Sequence, residues 1–168
     1  EKRGTFTLDG RDGRMYASVP WRGWVMKLAP DGTMTPFASG LRSPNGLGFD
    51  HEGRLWTIDN QGDWIGTSPL YHLEAGQHYG HPASLVWQEG FSGKPLDRSA
   101  AELDALRQLP AGVFPQGTMA NSPCDPIVIP ESWGPLAGDL LIGEMNHERI
   151  CRAMVQEVRG RTRATITT

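Results

Sequence analysis

Apolar residues along the chain fall in short runs, and the clearest pair lies in "RSPNGLGFDHEGRLWTIDNQGDW", from Arg42 to Trp64. Leu47, Phe49, Leu55, Trp56 and Ile58 fill two brief β-like segments, and "DHEG" between them is turn chemistry with a glycine for the awkward dihedral. The pattern predicts a hairpin. Setting Phe49 opposite Arg54 places Leu47 opposite Trp56, Asn45 opposite Ile58 and Ser43 opposite Asn60. In that register Arg42 and Asn45 share one mouth of the hairpin with Asp59, Asn60, Gln61, Gly62 and Asp63, as a strand pair displays a site from its loops.

Similar runs recur. "RMYASVP" at Arg14, "RLWTIDN" at Arg54 and "DLLIGEM" at Asp139 start 40 and then 85 residues apart, the second gap close to twice the first. Short strands at a period near 40 are the signature of propeller blades, small sheets that bury their faces only against neighbours. "WVMKLAPDGTMTPFASG" reads as strand, Asp-Gly turn and strand. Strands are expected near 14–19, 46–49, 54–59 and 140–145. Residues 81–135 read as a polar, proline-rich insertion with one helical piece, "DRSAAELDALRQL", in which Leu103, Leu106 and Leu109 recur at helical spacing after capping residues. The fold expected is all-β, a partial propeller of three to four blades spanning 1–168.

Composition narrows the partners. Of 168 residues, 38% are hydrophobic and 21% charged, which is ordinary for a globular domain, and the net charge of −3 leaves no basic face for nucleic acid. "RGRTR" reads as a solvated turn and strand. No apolar run is long enough for a transmembrane helix, and "EKRGTFTLDG" carries neither an initiator methionine nor a signal-peptide core. The chain therefore reads as cut from a longer protein at both ends. An arc of blades leaves open edges, so the remaining blades are expected from missing sequence or another chain. Cys124 and Cys151 make no disulfide framework, and their redox state stays open. His78 and His81 form an H-x-x-H pair without a convincing third zinc ligand, which favours a structural role. Trp56, Trp64, Trp87 and Trp133 have faces suited to pyranose rings, but tryptophans between propeller sheets are usually core and none is assigned to substrate.

"GLRSPNGLGFDHEGRLWTIDNQGDW" followed by "YHLEAGQHYGHPASLVW" resembles the glucose/sorbosone dehydrogenase family of six-bladed propellers, whose soluble members use pyrroloquinoline quinone and calcium. "FPQGTMANSP" and "LLIGEMNHERICRAMVQEV" extend the likeness toward an uncharacterised membrane-bound-dehydrogenase-like branch, over about Gly40 to Gly160. The resemblance implies that Arg42, in "RSPNGL", lies beside the quinone, where a fixed guanidinium stabilises developing negative charge. It implies calcium at the loop Gln61, Gly62 and Asp63, whose oxygens suit a hard cation. It nominates Asn45, Asn60, Tyr79 of "HYGHP", and Glu144 and Asn146 of "GEMNHE" as further cofactor-binding residues. Two positions depart from the family: Ser43 replaces an asparagine, and Asn146 stands where the quinone enzymes present a lysine. The family's general-base histidine falls before Glu1. A periplasmic or secreted location is implied by resemblance alone.

Three functions follow. The leading one is a sugar or alcohol oxidoreductase, or part of one, in which a base on another blade takes a hydroxyl proton and hydride passes to the quinone. The second is a metal-dependent lactonase of the gluconolactonase type, using Asn45 and Asp63 to hold the ion. The third is a non-catalytic propeller that binds carbohydrate or protein, which Ser43 and Asn146 favour.

Overall fold

The structure, a computed structural model, describes residues 20–168. It is all-β apart from short helical turns, and the expected strand at 14–19 lies outside the described residues. The chain divides into two compact units. Among the described residues, one comprises 20–43, 62–65 and 74–108, and the other 44–61, 66–73 and 109–168.

The second unit holds two four-stranded antiparallel meanders. Strands β3 (Pro44–Phe49), β4 (Leu55–Asp59), β5 (Ser68–Leu73) and β6 (Gly112–Phe114) make one sheet in chain order. Strands β7 (Pro123–Val128), β8 (Leu140–Glu144), β9 (Arg149–Val158) and β10 (Arg161–Thr167) make the next. Each meander has the strand order of a propeller blade. Their facing surfaces share one core: Trp56, Ile58, Leu70 and Phe114 from the first meet Leu140, Ile142, Cys151 and Ala153 from the second. Arg159 and Gly160 turn the chain into β10, so "RGRTR" is a turn and a strand.

The opening hairpin forms, with a corrected register. Phe49 pairs with Leu55, Gly48 with Trp56 and Leu47 with Thr57, one residue off the pairing set from Phe49 opposite Arg54. A bulge at Gly46, whose φ of +74° favours glycine, absorbs the extra residue, so Asn45 pairs with Ile58 at the polar mouth as expected. The turn is built on Asp50. Its carboxylate accepts from the Glu52 and Arg54 backbone N–H groups at 3.0 Å, Arg54 Nε at 2.6 Å and Trp56 Nε1 at 2.8 Å, and Gly53 takes a φ of +76°. Gly48 lets β3 approach β7 closely, because a Cβ there would collide with the Pro126 carbonyl.

"RLWTIDN" and "DLLIGEM" are both second strands, β4 and β8, of successive sheets. The 85-residue gap is thus one long step instead of two short ones. The stretch between β5 and β6 lengthens it, carrying 3₁₀ turns at Pro82–Trp87 and Pro95–Asp97 and helix α1 (Ala100–Ala105). Within residues 81–135, β6 and β7 are strands of the two sheets. Helix α1 is shorter than the leucine spacing suggests. Ser99 and Glu102 form a capping box, Leu103 is buried, and Leu106 and Leu109 fall beyond the last turn and are exposed.

The first unit holds the hairpin of β1 (Trp24–Leu28) and β2 (Met34–Ser39), turned by Asp31 and Gly32. The Thr33 N–H donates to Asp31 Oδ1 at 2.9 Å, and Gly32 takes a φ of +85°. Among the described residues no helix is long and apolar enough to cross a membrane.

Candidate functional site

Arg42 leaves the end of β2 through a tightly fixed backbone. Segment 77–81 runs alongside: the Ser39 N–H donates to the Gln77 carbonyl, the Tyr79 N–H to Ser39 and the His81 N–H to Gly40, at 2.8–3.0 Å. Gly40 has a φ of +88°, and a Cβ there would collide with the Tyr79 backbone nitrogen, so only glycine admits this contact. Tyr79 is buried, and its Oη accepts from the Glu74 N–H at 2.7 Å. Burial pushes the phenol up to about 12 against the opposing hydrogen bond from the Glu74 N–H, so the ring serves as a neutral buttress.

The Arg42 side chain lies across the loop at Gly62. A Cβ on Gly62 would collide with Arg42 Cδ and stand 2.8 Å from Nε. Glycine is therefore the residue that lets the guanidinium stem bed down on this loop, which the Gly62 N–H closes by donating to the Ile65 carbonyl at 2.8 Å. Asp63 is exposed beside it.

His81 in the same unit is 3% exposed, and among the described residues its Nε2 has no hydrogen-bond partner. Burial, then the positive charges of Arg22 and Arg42 and neighbouring His78, pull its pKa down to about 4. A buried imidazole without a partner next to two guanidiniums favours an anionic or strongly accepting group. The H-x-x-H spacing marked this histidine without showing that it would be orphaned.

The other sequence-expected residues belong to the second unit. Asn45 is exposed on β3, while Asn60 and Gln61 follow β4 half-buried, with the Gln61 N–H donating to Ser68 Oγ at 3.2 Å. Glu144, at the end of β8, is 3% exposed. Burial alone would raise its pKa, but N–H donation from Ser122, Asn121, His147 and Asn146 at 2.6–3.1 Å holds it down to about 2. The carboxylate thereby staples the loop before β7 to the turn after β8. Asn146 is exposed and joins this arrangement through its backbone.

Among the described residues no three His, Cys, Asp or Glu side chains gather as a metal site. A cation at 61–63 would draw on backbone carbonyls, the Gln61 amide and Asp63. The tryptophans diverge from the core expectation: Trp56 is fully buried, Trp133 is 54% exposed, and Trp87 lines a cleft with Trp21 and Trp24.

The chain is similar in structure to the PQQ-bound form of an aldose sugar dehydrogenase from Streptomyces coelicolor, with a TM-score of 0.56 and 19% identity, over 85% of this chain and 39% of that one. It is also similar to a protein provisionally assigned as an oxidoreductase (glucose dehydrogenase) from Thermus thermophilus, with a TM-score of 0.52 and 20% identity, over 79% of this chain and 34% of the other. The fold is part of a β-propeller. The chain spans between a third and two fifths of the length of these two structures. No family model and no curated protein matches the sequence.

Proposed function

We propose that this chain is part of a propeller oxidoreductase acting on sugars or related alcohols, with pyrroloquinoline quinone and calcium at the loops that carry Arg42 and Gly62. The observation that carries this reading is Arg42 laid over Gly62, a cradle that a Cβ would fill. The orphaned His81 Nε2 and the adjacent Arg22 and Arg42 charges fit a polycarboxylate quinone. When bound, the quinone would accept hydride from the substrate carbon.

In this reading Arg42 holds quinone oxygens and stabilises negative charge on them, while His81 donates a hydrogen bond from Nε2. Asn45 and Asn60 keep the polar roles that the resemblance gives them, Tyr79 braces segment 77–81, and Gln61, Gly62 and Asp63 offer oxygens to calcium. Family membership in the glucose/sorbosone dehydrogenases, and in their membrane-bound-dehydrogenase-like branch, belongs to the same proposal, as does a periplasmic or secreted location.

A second reading, a binding propeller without chemistry, is favoured by Glu144. Its carboxylate accepts four backbone N–H bonds, which makes "GEMNHE" a structural staple at the position where a cofactor-facing lysine would stand. The two readings separate in a titration with quinone, with and without calcium, followed by absorbance. The oxidoreductase reading predicts a saturable spectral shift strengthened by calcium and lost in Arg42→Ala. No shift with the folded chain supports the second reading, and lactone hydrolysis that needs a divalent ion and Asp63 would replace both.

A further inference from the structure

The first unit carries a concavity whose lining includes none of Arg42, Gly62 and Asp63. It is a cleft of about 500 Å³ beside β2, within the range of roughly 300–1,000 Å³ usual for small-molecule pockets. Three indoles line it, Trp21, Trp24 and Trp87, with Gln77, Gln88 and Glu89 as polar neighbours.

The indoles are held, not loosely exposed. Trp24 donates from Nε1 to the Ser84 carbonyl at 2.9 Å, and Trp21 stands edge-on to it, with ring centroids 5.3 Å apart and planes at 82°. Trp21 takes a φ of +63°, a costly conformation for a bulky side chain, in the turn where the Trp24 N–H donates back to the Trp21 carbonyl at 3.0 Å. The residue is nonetheless 39% exposed, so burial does not account for the strain. A strained residue that presents an aromatic surface to a cleft points to a ligand on that surface.

The polar lining decides the ligand's chemistry. Among the described residues no lysine or arginine borders the cleft, which disfavours phosphates and carboxylates, and the carboxylate in its lining belongs to Glu89. Gln77 and Gln88 supply amides that both donate and accept, and Gln108 Nε2 orients the Gln77 carbonyl at 2.7 Å. His78 also lines the cleft, with Nδ1 3.0 Å from Ser39 Oγ, and burial lowers its pKa to about 4, so it adds no charge near neutral pH. Flat apolar faces bordered by neutral two-way hydrogen-bonding groups complement a ring that is apolar on its faces and hydroxylated around its edge. The perpendicular Trp21–Trp24 pair turns an edge of one ring onto the face of the other, which does not box in a quaternary ammonium ion.

We propose that this cleft is a binding site for a neutral pyranose unit of a carbohydrate, stacked on Trp21 and hydrogen-bonded by Gln77, Gln88 and Glu89. The site does not depend on the quinone reading. It would anchor a glycan or retain a sugar away from the Arg42 loop.

The test is a titration of the folded chain, without quinone or metal, with cellobiose, followed by tryptophan fluorescence and by calorimetry. Saturable binding is expected, with a Kd on the order of 1–10 mM. Trp21→Ala should weaken it at least about tenfold and Gln88→Ala about threefold, with the thermal midpoint of each variant close to wild type. Because Trp21 is exposed and Gln88 lies at the cleft's border, either variant suffices if the other is poorly soluble. Absence of saturation up to about 100 mM overturns the proposal. So does binding that ignores both substitutions, or saturation by choline where cellobiose fails.

Discussion

Glu144 shows how one residue reads differently in sequence and in space. As a letter it is an acid beside Asn146 in a motif that faces a cofactor elsewhere. In the fold it is a buried carboxylate that satisfies four N–H groups of two loops. Because its pKa is depressed from 4.5 to about 2, the charged form stabilises the folded state above pH 4.5, and that contribution is lost as pH falls from about 4.5 to 2. Glu144→Gln should cost about 3 kcal/mol at neutral pH and flatten the acid limb of the stability curve, measured by urea denaturation between about pH 2 and 7. An unchanged acid limb would show that the staple contributes little. Arg42 lies at the opposite pole of legibility: its motif marked it, but only the fold shows that Gly62 is the surface on which it rests.

Among the elements, short apolar runs, turn chemistry and the recurring strand motif located β3, β4 and β8 to within a residue or two, because the turn before β4 needs Gly53 and Asp50. The register near the hairpin tip was not legible. A bulge at Gly46 depends on β7 approaching from a distant part of the sequence, where Asp125 occupies the space a Cβ would take. The end of α1 also escaped the pattern, since leucine spacing continues past the residue where the helix stops. The same close approach makes Gly48 decisive. Gly48→Ala sets a methyl against the Pro126 carbonyl, a backbone atom that cannot swing away, and should destabilise the protein by about 3 kcal/mol. Thermal unfolding checks this; a midpoint within a degree or so of wild type would mean that β3 and β7 separate easily.

In the whole molecule, the two meanders stand or fall together because they share one core. Phe114, from β6, is fully buried in the cluster that also contains Leu140 and Ile142 of β8. Phe114→Ala should therefore cost about 3–5 kcal/mol and shift the exchange protection of β4 and β8 amides by the same amount. Protection lost in one sheet alone would show two independent cores. The blade architecture was readable from repeated strand motifs, but the 85-residue step was misleading in sequence because the excursion between β5 and β6 mimics the length of a missing blade. Under the proposed function, Arg42 rests on Gly62 in the position from which it would hold an anionic quinone. The decisive measurement is the quinone dissociation constant of Gly62→Ala against that of wild type, in calcium. A loss of affinity of at least about tenfold, about 1.4 kcal/mol, is expected with the fold intact. Equal affinity in the two proteins would contradict it.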